Sequence, residues 1–127
     1  MGRPEFLFNA SEACWARAMK PNAAYPCYVT DGPFLHRTAS GALLMLWSSS
    51  GERGYALGVA RSASGRIVGP WEQSATPLWG ADGGHGMIFR TFAGELMLAL
   101  HSPNTRGNER PVFVPIAECG DELVVRA

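Results

Sequence analysis

Two short stretches hold side chains that could do chemistry. The first is Thr30-Asp31-Gly32-Pro33, a carboxylate at the head of a loop. A carboxylate there can accept or deliver a proton, or serve as an ordinary turn residue, because aspartate before Gly-Pro favours turns. The second is Gly83-Gly84-His85-Gly86. Glycines on both sides of His85 let the backbone approach a neighbour closely and aim one imidazole. The alternative there is a histidine hydrogen-bonded within its loop. Other site types are missing. Gly-Glu-Arg-Gly-Tyr-Ala-Leu-Gly, residues 51–58, echoes a dinucleotide fingerprint but has no helix after it. There is no phosphate-binding P-loop and no Cys/His cluster, and Ser48-Ser49-Ser50 lacks the Gly-x-Ser-x-Gly of a nucleophile elbow.

Both stretches head the two copies of an internal repeat. Asp31–Ser49 and Gly84–Ser102 align at an offset of 53 residues, matching Arg37 with Arg90, Thr38 with Thr91, Gly41 with Gly94, Leu43 with Leu96 and Ser49 with Ser102. A period near 50 residues built from strand-like units points to propellers or solenoids. Each copy reads as a β-hairpin: Phe34–Arg37 with Ala42–Trp47, and Met87–Phe92 with Glu95–His101. The runs Leu-Leu-Met-Leu-Trp and Leu-Met-Leu-Ala-Leu are apolar throughout, as expected of strands buried on both faces. A second hairpin follows each first one: Tyr55–Arg61 with Ile67–Trp71, and Val112–Ala117 with Glu122–Val125.

Two successive hairpins make the four-stranded meander of a propeller blade. The expected fold is therefore all-β, about two four-stranded propeller blades, a half-propeller. Residues 31–79 form blade one and 84–127 blade two. Residues 1–30 form an N-terminal strand/loop remnant of a preceding blade, with Glu5–Phe8 as its strand, and the whole is a single domain. Two blades do not close a ring, so two sheet faces are expected to stand open. The chain is then expected to self-associate as a homo-oligomer, to pair with a complementary propeller chain, or to be a piece of something longer.

The totals narrow the function classes. The chain has 127 residues, 46% of them hydrophobic and 17% charged, with a formal net charge of zero. That balance argues against nucleic acid or an anionic membrane as partner. No apolar run approaches the roughly 20 residues of a membrane span. The first residues lack the charged-then-apolar pattern of a signal peptide, so the expected location is cytoplasmic. Cys14, Cys27 and Cys119 are an odd number without metal-ligand spacing and read as reduced thiols.

The motifs Val-Thr-Asp-Gly-Pro-Phe-Leu-His-Arg-Thr, Gly-Tyr-Ala-Leu-Gly-Val-Ala-Arg-Ser, Gly-Pro-Trp and Asp-Gly-Gly-His-Gly-Met-Ile-Phe-Arg-Thr-Phe, in that order, resemble the C-terminal half of glycoside hydrolase family 43. So does Leu-Ala-Leu-His-Ser-Pro-Asn, followed by Arg-Pro-Val-Phe-Val-Pro. The resemblance runs from about Glu5 to Val125. It implies a part of a five-bladed propeller from enzymes that act on arabinosyl and xylosyl glycosides. The family uses three carboxylates, and one of those positions is matched here: Asp31 stands where the family places its general acid, as an aspartate rather than the family's glutamate. The base and modulator carboxylates belong to blades that this chain does not contain. By the same resemblance His85 points to the propeller axis, where it contacts a metal indirectly, through water. No cofactor is required, and calcium on that axis is allowed. Arg110 matches an arginine placed beneath the substrate sugar. Trp15, in a loop, is the best stacking surface for a sugar, whereas Trp47 and Trp71 read as core. His36 and His101 read as structural histidines.

The resulting expectation is a shortened family 43-like protein, inactive alone and acting on carbohydrate only when another chain complements it. A non-catalytic oligomeric half-propeller, or weak carbohydrate-binding module, is the alternative.

Overall fold

The computed structural model describes residues 2–126, which fold into two four-stranded antiparallel sheets and contain no α-helix. Sheet one is β1 (Asp31–Arg37), β2 (Leu43–Gly51), β3 (Gly54–Ser62) and β4 (Trp71–Gln73), in that spatial order. Sheet two is β5 (Gly84–Arg90), β6 (Leu96–Ser102), β7 (Arg110–Cys119) and β8 (Glu122–Val125). Each is a meander, the blade topology expected from the paired hairpins.

The invariant residues of the repeat turn out to be turn chemistry. In the β1–β2 turn the Thr38 amide donates to the Ala42 carbonyl at 3.0 Å and the Gly41 amide to the Thr38 carbonyl at 2.9 Å. The Arg37 guanidinium donates to the Gly41 carbonyl at 2.8 Å. The β5–β6 turn repeats the scheme with Thr91, Glu95 and Gly94, and Arg90 donates to the Gly94 carbonyl at 3.0 Å. Gly41 and Gly94 sit at φ +94° and +85°, which a side chain would strain.

The two sheets pack on a shared apolar layer. Leu44, Leu46, Leu57 and Val59 from sheet one meet Ile88, Leu98, Leu100, Val114 and Ile116 from sheet two. At the turn ends the layer is closed by polar contacts. Glu118 accepts from the Ala39 amide at 2.8 Å and pairs with His36 Nε2 at 2.8 Å, so His36 is the structural histidine expected of it. Both contacts favour the ionised carboxylate, and Glu118 is held below the ordinary range, by the Ala39 amide first and His36 second.

The structure departs from expectation at three places outside the site. Glu5–Phe8 belongs to neither sheet; the only regular element before β1 among the described residues is one 3-10 turn, Ala10–Glu12. The last strand of sheet one is Trp71–Gln73 rather than Ile67–Trp71, because Gly65 and Gly69 adopt positive φ and residues 65–68 turn, with the Trp71 indole N–H donating to the Ile67 carbonyl at 2.9 Å. Third, one of the two sheet faces expected to be open is closed. Ala10, Ala13, Trp15 and Ala16 bury themselves against Leu43, Met45, Trp47, Ala56 and Ala60 on the outer face of sheet one. The Arg17 amide fixes the segment by donating to the Ser50 carbonyl at 2.8 Å.

Trp15 is therefore no sugar platform. It is 5% exposed, its ring lies 4.8 Å from that of Trp47, and it occupies the space over Gly58 where a Cβ would collide with it. The large apolar area of the indole outweighs the cost of leaving its N–H without a partner, and Gly58 opens the slot that receives it. Trp47 and Trp71 are core residues, as expected. Trp15→Ala should cost about 3–5 kcal/mol in a guanidinium unfolding experiment, the range for truncating a buried aromatic. A loss below about 1 kcal/mol would mean that the segment does not clamp sheet one.

Candidate functional site

The head of each blade carries the same β-bulge. On β1 and β2, Asp31 pairs with Ser48 and Phe34 with Leu46, so three steps on one strand match two on the other. On β5 and β6, Gly84 pairs with His101 and Met87 with Ala99, the same mismatch. A bulge of this kind needs a residue in the left-handed region. In blade one that residue is Gly32 at φ +55°; in blade two its counterpart is His85 at φ +54°. A histidine held there costs on the order of 1–3 kcal/mol, a strain that surrounding structure must offset. Here the His85 amide donates to Ser48 Oγ at 2.8 Å, and Ser48 is fully buried.

Two glycines let these heads approach. A Cβ on Gly32 would lie 2.9 Å from the His85 ring, and one on Gly84 would lie 2.6 Å from the Tyr55 ring. The result is a cluster formed by both blades. Asp31 Oδ2 accepts a hydrogen bond from the Tyr55 hydroxyl at 2.9 Å and lies 3.4 Å from His85 Nδ1. The Asp31 and His85 side chains are about half exposed. The Tyr55 ring stacks on His101 with centroids 5.6 Å apart, and its amide donates to Asp82 Oδ1 at 3.1 Å. His101 is held in turn by Asn104 at 2.8 Å.

The electrostatics follow from these contacts. The Tyr55 hydrogen bond, aided by nearby His85, holds the Asp31 carboxyl below its ordinary range against a smaller opposing effect of burial. Burial, with Asp31 second, pushes the Tyr55 phenol up to about 12, so it stays protonated and keeps donating. Asp31 is thus an ionised acceptor at neutral pH. A resting general acid needs the opposite, a carboxyl that keeps its proton.

Asp31 and His85, singled out separately, are brought together. Arg110 is not joined to them: it opens β7, and its guanidinium donates to the Glu109 carbonyl at 2.8 Å and the Gly107 carbonyl at 3.5 Å, within its own loop. Trp15 lies in the core of the other face. Sequence reasoning passes over Tyr55, while Ser48 and His101, read there as no nucleophile elbow and as a structural histidine, support the cluster from behind. Tyr55 stands in a motif that carried the family resemblance, but only the bulge reveals that its hydroxyl meets Asp31.

By itself the donor set is short of a calcium shell, so an ion on the axis would take most of its ligands from water or from other blades. The set offers one imidazole and a carboxylate already bonded to Tyr55, whereas calcium takes six to eight oxygens. Among the described residues no group of three or more His, Cys, Asp or Glu side chains could hold a metal. The site is also open. A concavity of about 1100 Å³ lies between the outer strands β4 and β8 and includes none of Asp31, Tyr55 or His85.

No protein-family model matches the chain, and no curated protein matches it. Among solved structures it is similar to an endo-arabinase from Bacteroides thetaiotaomicron VPI-5482, with 43% identity over 94% of this chain and a TM-score of 0.84. It shares its fold with a thermostable family-43 glycoside hydrolase, at 21% identity over 81% of this chain and a TM-score of 0.66. It shares it also with an alpha-L-arabinofuranosidase from Lactobacillus brevis, at 23% identity over 76% and a TM-score of 0.57. The chain spans only 42%, 37% and 36% of those three chains, respectively.

The Tyr55 contact sets a testable sign. Because the folded-state pKa of Asp31 is depressed, the stability it contributes is complete above the ordinary aspartate value and is lost as pH falls through the folded one. The Asp31 carboxyl carbon, followed by NMR, should titrate below 3.8, the ordinary value. Tyr55→Phe should move that midpoint upward and weaken the loss of stability in acid. An unchanged midpoint in the variant would show that the phenol does not hold the carboxylate.

Proposed function

We propose that this chain, which has the fold of part of a glycoside hydrolase family 43 propeller, carries one half of a carbohydrate site and is not a catalyst alone. The ligand class is arabinosyl and xylosyl glycosides, a reading favoured by the 43% identity to a protein described as an endo-arabinase. The observation that carries the proposal is the Asp31–His85 pair, 3.4 Å apart at the heads of adjacent blades and open to solvent. A carboxylate and an imidazole on an open surface can bond sugar hydroxyls. In this reading Arg110, bonded within its own loop, is not part of the pair.

Hydrolysis asks for more. Inversion at a glycosidic carbon requires a proton donor for the leaving oxygen and a second carboxylate, roughly 6.5–9.5 Å away, that activates water. Asp31 stands at the donor position of the family, and the base has no matching motif in this chain. A complementary chain could supply the base and enclose Asp31, raising its pKa by desolvation. The Tyr55 hydrogen bond favours the alternative of a binding module, because it stabilises the form of Asp31 that cannot give a proton.

Titration with arabino- and xylo-oligosaccharides, followed by amide NMR shifts, should perturb Asp31, Tyr55 and His85, and Asp31→Ala should abolish the response. Aryl arabinofuranosides and aryl xylosides should show no turnover above background. Robust turnover lost in Asp31→Asn would overturn the half-site reading; silence toward both sugar classes would overturn the carbohydrate reading.

A further inference from the structure

Asp82, on the segment that leads into β5, sits in the left-handed region at φ +49°. Aspartate tolerates that conformation better than most residues, but it remains strained there. Its partly buried carboxylate accepts two backbone amides, that of Tyr55 on Oδ1 at 3.1 Å and that of Asn104 on Oδ2 at 3.3 Å. Tyr55 belongs to sheet one and Asn104 lies just past β6 of sheet two, so one side chain ties the two blades together. The Asp82 carbonyl accepts from the Ser102 hydroxyl at 3.0 Å. The next residue, Gly83, donates its amide to the Tyr55 carbonyl at 2.8 Å. Both backbone polar groups of Tyr55 are thereby gripped. Gly54, at φ +101°, makes room, since a Cβ there would lie 2.5 Å from Asp82 Oδ1.

The repeat does not demand this carboxylate. At the 53-residue offset Asp82 matches Val29, whose side chain accepts no hydrogen bond, and blade one still forms its bulge. What Asp82 adds lies around the Tyr55 ring. Asn104, held by its amide, bonds His101 Nε2 through its own side-chain oxygen at 2.8 Å. His101 in turn stacks on Tyr55, with 21° between the ring planes. The contacts from Asp82 therefore reach Tyr55 from two sides, through its backbone and through its ring. We propose that Asp82 is the positioning residue of the half-site: it holds Tyr55 and its His101 support so that the phenol meets Asp31. Bonds from amides to a carboxylate are charge-assisted, which suits a group that must fix a ring rather than merely end a turn. The role rests on the half-site reading, because Asp31 is the group that the phenol serves.

Two variants of the full chain test it by NMR without sugar. Asp82→Gly keeps the left-handed backbone at no steric cost and removes only the carboxylate. Asp82→Asn removes the charge, keeps one acceptor oxygen and tolerates the same φ. In the wild type the Tyr55 ring should shift the His101 ring protons upfield. Asp82→Gly should lose that offset with an unchanged circular dichroism spectrum, and Asp82→Asn should keep it in part. The Asp31 carboxyl midpoint should rise in Asp82→Gly, as in Tyr55→Phe, and the double variant should move it no further. Removing a negative charge would by itself lower that midpoint, so the sign separates positioning from a change of field. A full His101 offset in Asp82→Gly, or an asparagine variant that behaves like the glycine one, would overturn the proposal. Wild-type silence toward sugars would sink the carbohydrate reading and leave the Asp82 contacts standing.

Discussion

Everything the site does depends on the apolar layer between the two sheets. Leu46, Leu57 and Leu98 are completely buried in it, and each contributes about 1.5–3 kcal/mol by leaving water. A single meander with one face uncovered has little independent stability. Two sheets sharing a layer do better, and their innermost strands β1 and β5 then run side by side. Asp31 and His85 belong to different sheets and meet only because that layer sets the spacing. The His36–Glu118 contact at the turn ends limits how far one sheet can slide over the other.

The bulge converts this architecture into chemistry. Both copies of the repeat keep the same register shift and the same left-handed residue, yet one copy uses glycine and the other histidine. Glycine is the unstrained choice, and blade one shows that the fold accepts it. Histidine at the equivalent place bears a conformational cost without a packing gain, since its side chain is half exposed. Strain retained where the backbone has a cheaper option is what supports proposing His85 as a site residue. Gly32 has a matching reason: it keeps clear the space that the imidazole fills.

Much of this was legible in the residues. The 53-residue offset, the apolar runs and the paired hairpins led to two four-stranded sheets because strand burial and turn chemistry are local properties. Arg37-Thr38 and Gly41 recur as Arg90-Thr91 and Gly94 because one backbone turn needs them. The N-terminal segment was illegible for the opposite reason. Its burial comes from shape, an indole fitting over Gly58 from more than 40 positions away, and no periodicity announces such a fit. Tyr55 was missed likewise: its role exists only after the bulge turns Asp31 toward it. The loop aromatic Trp15 thus goes to the core rather than to a sugar surface, and the strand aromatic Tyr55 to the Asp31 cluster.

The asymmetry between the two outer faces bears on how the half-site works. Among the described residues the outer face of sheet one is covered by the Trp15 segment, whereas that of sheet two, on the side of β5 and His85, is exposed. Whatever covers Met87 and Phe89 also changes the surroundings of the strand that carries His85. Desolvation there would oppose the Tyr55 bond, because burial raises a carboxyl's pKa while a donated hydrogen bond lowers it. In the free chain the hydrogen bond wins, since Asp31 is half exposed. Covering the blade heads would therefore move the Asp31 carboxyl up toward its ordinary range, against the Tyr55 bond that keeps it ionised.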